Sequence, residues 1–135
     1  MDLNLRLIHS RDFMKTTPKG KFDLATSKQV LLKLASENAA PRQYELLIDV
    51  RHAVGRLTFT DITELVNVMI EHRESFRSKL AILTRHGPEF DQAKFMELYA
   101  GNRGFRIEAF RDFEEAINWL MTSTEMTSGQ TGEAG

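Results

Sequence analysis

Apolar and polar residues alternate at the start of the chain, where Leu3, Leu5 and Leu7 are interleaved with Asn4 and Arg6. A period of two is that of a strand with one buried face. A second extended piece covers Phe13 to Thr16, and Pro18 and Gly20, set among lysines, mark a turn. The period then changes. A helix starts near Asp23, whose carboxylate suits the N-cap. Leu24, Leu31, Leu34 and Ala35 share one face, Lys28 and Lys33 lie outside it, and the stretch from Asn38 to Pro41 ends it. Tyr44 to Val50 reads as a short strand. Its Leu46-Leu47-Ile48 run is apolar on both faces, so both should be covered. Gly55 falls in the loop that follows.

The next helix carries the clearest local signals. Thr58 is an N-cap, Asp61 stands three residues on, and Leu57 and Ile62 are spaced for a hydrophobic staple. Ile62, Leu65, Val66, Met69, Ile70 and Phe76 form its inward stripe, while Glu71, His72, Arg73 and Glu74 form its wet side. Leu80 to Leu83 predicts another buried strand. After Gly87-Pro88 a helix runs from about Asp91 to Gly101, with Phe95, Leu98 and Tyr99 inward. Asn102-Arg103-Gly104 reads as its C-cap, with Gly104 able to take positive φ. Phe105 to Phe110 alternates as a strand, and Asp112 opens a last helix through Trp119 and Leu120.

From residue 44 onward strand and helix therefore alternate three times. Right-handed crossovers turn that order into a parallel sheet with helices packed on it. The N-terminal strands join in mixed orientation. The predicted class is α/β, with a four- or five-stranded, mixed but mainly parallel sheet. Residues 1–121 form one domain. Residues 122–135 are rich in Ser, Thr and Gly without Lys or Arg, and are expected to form a disordered tail.

Composition narrows the chemistry. The 135 residues carry a formal net charge of −1, so there is no basic excess of the kind a dedicated nucleic-acid binder shows. There is no Cys, which excludes a thiolate nucleophile, a Cys-ligated zinc and an iron–sulfur cluster. No stretch approaches the roughly 18 apolar residues of a membrane span. The start of the chain lacks a basic segment followed by an apolar run, so the expected location is cytoplasmic. Neither a nucleophile elbow nor a glycine-rich phosphate loop is present, and no His pair has metal-ligand spacing. No cofactor and no metal are expected.

In open α/β sheets, ligands favour the crevice beyond the carboxyl ends of the strands. The sequence places Asp49, Arg51 and His52 after the first parallel strand, Thr84, Arg85 and His86 after the second, and Arg111 with Asp112 after the third. Arg51, Arg85 and Arg111 would share one edge if those strands are neighbours. Helices opening at Thr58 and Asp112 point their positive ends to the same side, a setting for a phosphate or carboxylate. Ion pairing of these arginines with Asp49, Asp61 or Asp112 is the alternative. His52 and His86 near Asp49 sketch a general base.

The segment from Tyr44 to Leu120 resembles the SpoIIAA-like proteins of the STAS superfamily. The resemblance is carried by Leu47-Ile48-Asp49-Val50-Arg51, the Leu57-Thr58 helix entry, Lys79-Leu80-Ala81-Ile82-Leu83 and Phe90-Asp91-Gln92-Ala93-Lys94-Phe95. It closes with the stretch from Arg106 to Leu120 that contains Phe110, Glu114-Glu115-Ala116 and Trp119. It implies a mixed sheet with helices on it and a non-enzymatic regulatory module that binds another protein. The family's switch is a phosphorylated Ser in an Asp-Ser-Ser-Gly motif at a helix start. That motif is absent, and Leu57-Thr58-Phe59-Thr60-Asp61 stands in the region, leaving Thr58 and Thr60 as candidate phosphoacceptors or partner surface. Three readings follow: an interaction module; a binder of a small anionic or lipid-like ligand, with the arginines on a head group and a gap beneath the long helix for an apolar tail; and a hydrolase or isomerase using Asp49 with His52 or His86. Self-association is compatible with all three.

Overall fold

The fold was obtained as a computed structural model, which describes residues 7–9, 13–38 and 44–122. Leu3, Leu5, Pro41 and the predicted tail beyond Thr122 lie outside the described residues. In chain order the elements are β1 (Leu7–His9), β2 (Phe13–Thr16), β3 (Gly20–Lys21), α1 (Leu24–Glu37), β4 (Glu45–Asp49), β5 (Ala53–Val54), α2 (Phe59–Glu71), a 3₁₀ turn (Arg73–Phe76), β6 (Leu80–Leu83), α3 (Pro88–Gly101), β7 (Ile107–Phe110) and α4 (Phe113–Met121).

One five-stranded sheet has the order β1-β2-β4-β6-β7. β2, β4, β6 and β7 run parallel, and β1 is antiparallel to β2. The alternation of each strand sorts side chains to two layers. On one face Met14, Leu46, Ile48, Leu80, Ile82 and Ile107 meet Val30 and Leu34 of α1, Ile62, Val66 and Met69 of α2, and Met96 of α3. On the other, Leu47, Ala81, Leu83 and Phe110 meet Ala116, Leu120 and Trp119 of α4. The doubly apolar run of β4 is thus buried on both sides.

The caps form as the sequence predicts. The Asp23 carboxylate accepts from Thr26 N at 3.0 Å. Thr58 Oγ1 accepts from Asp61 N, and the Asp61 carboxylate accepts from Thr58 N, both at 3.0 Å. Asp112 caps α4 through Glu115 N at 3.0 Å. Gly104 follows α3 with φ 96°.

Five local expectations are corrected. Leu98 does not point inward and is 65% exposed; the inner face of α3 is Ala93, Met96 and Ala100, and the two alanines let the helix sit close to the sheet. Ile70 is 37% exposed, because Ile62, Leu65, Val66 and Met69 occupy the inner arc of α2 and Ile70 falls at its margin. α3 begins at Pro88 rather than near Asp91, with Pro at the first turn, where its missing N–H costs nothing. Finally, Gly20 is not only a turn residue. Gly20–Lys21 pairs in parallel with Ala53–Val54, a two-stranded ribbon extended by a bond from Phe22 N to Val54 O of 2.7 Å. Phe76, read as part of the long helix, is buried from the 3₁₀ turn after it.

The exposed edge of β7 is partly covered by its own helix layer. Glu97 of α3 accepts the Ala109 N–H at 2.9 Å, removing one free donor from the edge.

Candidate functional site

The register sets Asp49 beside Leu83 and Leu83 beside Phe110, so the chains after β4, β6 and β7 leave the sheet along one rim. Arg51, Arg85 and Arg111 follow there. Their side chains take separate partners. Arg51 forks onto Asp49, Nε to Oδ1 at 3.0 Å and Nη2 to Oδ2 at 2.9 Å, and its backbone N–H adds a third bond to Oδ1 at 3.1 Å. Arg85 donates to Ala53 O and to the Glu89 carboxylate, each at 3.2 Å. Arg111 lies over the Phe90 ring, 4.4 Å from its centroid. His52 and His86 are exposed on the loops.

Asp49 is 1% exposed, and Arg51 engages both of its carboxylate oxygens. Burial pushes its pKa up, but the side-chain and backbone hydrogen bonds and the charge of Arg51, with Lys15 behind them, win, so the net direction is down from 3.8. Glu108, half-buried in β7, goes the other way. Burial, then the nearby Glu97, raises it above 4.5 against the pull of Lys94 and Lys79. The two signs give opposite linkage. The Asp49 contribution is fully present above the unfolded pKa and is lost as pH falls through the lower native value. Glu108 lowers stability above its native pKa, and that penalty vanishes as pH falls to the unfolded value. Urea midpoints should therefore fall for Asp49→Asn at pH 7 and rise for Glu108→Gln. The Glu108 difference should shrink as pH falls toward 4.5, and the Asp49 difference only as pH falls below 3.8.

Thr58 is committed to its cap, with the Asp61 carboxylate bonded to its own N–H. A phosphate added at Thr58 would meet that carboxylate, a like-charge contact. Thr60 is exposed in the first turn of α2. Acidic side chains also stand in the first turns of α3 (Glu89, Asp91) and α4 (Glu114, Glu115), so three helix N-termini near the rim already carry the protein's own anions.

Below the rim lies an open-mouthed pocket with ≈ 100 Å³ of interior space. Val30 and Leu31 of α1, Ile62 and Leu65 of α2, and Ala93 and Met96 of α3 form its walls, with Ile48 and Ile82 of the sheet as floor. Phe22, Ala53, Gly55 and Leu57 frame the mouth. Gly55 has φ +128°, and a Cβ there would stand 3.1 Å from Phe22 O, so this part of the frame needs glycine. Across the mouth Gln92 clasps the backbone of Leu57: its amide N–H donates to Leu57 O and its Oε1 accepts from Leu57 N.

The sequence anticipates a gap beneath the long helix but not this clasp. The one signal is a polar residue, Gln92, directly before the small inward Ala93. Among the described residues no three His, Asp or Glu side chains gather as a metal-ligand set, and no helix is long and apolar enough to cross a membrane.

No protein-family profile and no curated protein matches the chain. Among solved structures it is similar to an uncharacterised protein of the DUF3478 family with a SpoIIAA-like fold from Shewanella loihica PV-4. That match has 18% sequence identity and a TM-score of 0.60, and covers 87% of this chain and 93% of that one. At that identity the likeness speaks for architecture alone: the chain has a SpoIIAA-like α/β fold.

Proposed function

We propose that this chain is a non-enzymatic binding module that holds a small apolar molecule between its three-helix layer and its sheet. The observation that carries the reading is the pocket itself: ≈ 100 Å³ of interior space, with walls of Val, Leu, Ile, Ala and Met side chains, opening beside the strand ends. An apolar cavity of this kind offers water too few partners and an apolar ligand a dry surface. The hydrolase or isomerase reading has less support, because Asp49 is engaged by Arg51 at both oxygens and His52 and His86 point from exposed loops. Titration with Nile red, an uncharged apolar dye, tests the proposal. Saturable, blue-shifted emission is expected, weakened roughly tenfold or more in Ala93→Phe, whose ring would occupy the pocket. Equal binding by both proteins would refute it.

A protein-partner reading is favoured by a second observation. Phe59 is 58% exposed and packs on Phe95 at 4.7 Å; Phe95 stacks on Tyr99 at 5.8 Å; and Leu98 stands further along the same helix. Apolar side chains grouped on a surface are a feature of interaction sites. This patch adjoins Thr58 and Thr60, the segment where SpoIIAA-like regulatory proteins carry their switch. A partner bound there is released by Phe59→Asp or Leu98→Asp and retained by Ala93→Phe.

A further inference from the structure

The polar groups on the pocket wall determine what charge an occupant can carry. Four polar side chains line it: Ser27, Thr84, Glu89 and Gln92. The Ser27 hydroxyl donates to Asp23 O at 2.7 Å, and the Thr84 hydroxyl donates to Arg85 O at 2.8 Å. Gln92 uses one amide hydrogen and its oxygen in the clasp to Leu57. The only charged side chain among the lining residues is the Glu89 carboxylate, held by Arg85 at 3.2 Å. The wall therefore presents lone pairs on Ser27 and Thr84, one remaining amide hydrogen on Gln92, and a negative charge.

From this geometry, and resting on the pocket reading above, we infer that the occupant is uncharged: an apolar chain or ring carrying at most a hydroxyl-type polar end. A hydroxyl can donate to the Ser27 or Thr84 oxygen and accept from Gln92. A carboxylate or phosphate would have to leave water for a wall with one free side-chain donor and a resident anion, and an unpaired charge in an apolar site is heavily penalised. Arg85 spends its Nη2 group on Glu89 and Ala53 O, so its charge is already set against the wall's own anion. The rim arginines Arg51, Arg85 and Arg111 contact the protein's own Asp49, Glu89 and Phe90.

The test is displacement of bound Nile red from the full chain at pH 7 by decan-1-ol and by decanoate, which share a chain and differ in charge. The alcohol is expected to displace the dye, and decanoate to require roughly tenfold more or beyond. Glu89→Gln, which removes the wall's anion, should narrow that gap. Displacement by decanoate at an equal or lower concentration overturns the inference while leaving the pocket reading intact, and so does failure of both compounds against dye that is demonstrably bound. Absence of dye binding overturns the pocket reading and this inference together.

Discussion

Lys79→Met is expected to lower stability by about 2–4 kcal/mol in urea denaturation, with the slope of the transition unchanged. Lys79 precedes β6 and is only 5% exposed. Its ammonium donates to Trp119 O at 2.8 Å and Thr122 O at 2.5 Å, and lies 5.3 Å from the centre of the Trp119 ring. One cation thus closes the C-terminal end of α4, where the last carbonyls have no partner within the helix. Methionine keeps the stem and its packing, so the loss isolates the charged head and the carbonyls it leaves behind. The same change removes one of the two cations that restrain the upward shift of Glu108. The deficit should therefore be larger at pH 7 than near pH 4.5. An effect under about 0.5 kcal/mol, the level of an ordinary surface change, would show that α4 does not depend on this contact.

The second large effect compares one substitution at two places on α3. Ala93 and Ala100 both face inward, but Ala93 lines the pocket and Ala100 is fully buried away from it. Ala100→Phe forces a ring into a close-packed site and should cost about 3 kcal/mol or more. Ala93→Phe places the same ring in space already present and should leave the thermal midpoint unchanged or raise it. Opposite outcomes on a single helix would separate real room from ordinary packing. Equal, large losses would mean that the space beside Ala93 closes in solution.

Much of the architecture is legible in the residues because it rests on short-range rules. The double-sided Leu46-Leu47-Ile48 run, the three strand–helix repeats and the caps at Asp23, Thr58 and Asp112 depend on neighbours within a few positions. Leu98 escapes such rules. Phe95, Leu98 and Tyr99 have helical spacing, and large apolar side chains suggest an inward face. Yet Ala93, Met96 and Ala100 share that spacing too, and Leu98 lies roughly 200° around the helix from Met96. The sheet takes the face that allows the closer approach. The ribbon between Gly20–Lys21 and Ala53–Val54 joins segments more than thirty residues apart with almost no apolar signal, so only the fold reveals it. For the rim, strand order gives the arginines' backbone positions correctly. It cannot give their partners, because Asp49, Glu89 and Phe90 are selected by side-chain geometry.

The central claim is that an uncharged apolar molecule enters between helices and sheet. Methyl ¹³C–¹H spectra recorded during a decan-1-ol titration test it most directly. The account predicts saturable shifts at Ile62, Leu65, Ile82, Ala93 and Met96, with Leu34 and Leu120 unmoved. Shifts confined to exposed methyls such as Leu98 and Val54, or none on any lining residue, would contradict it.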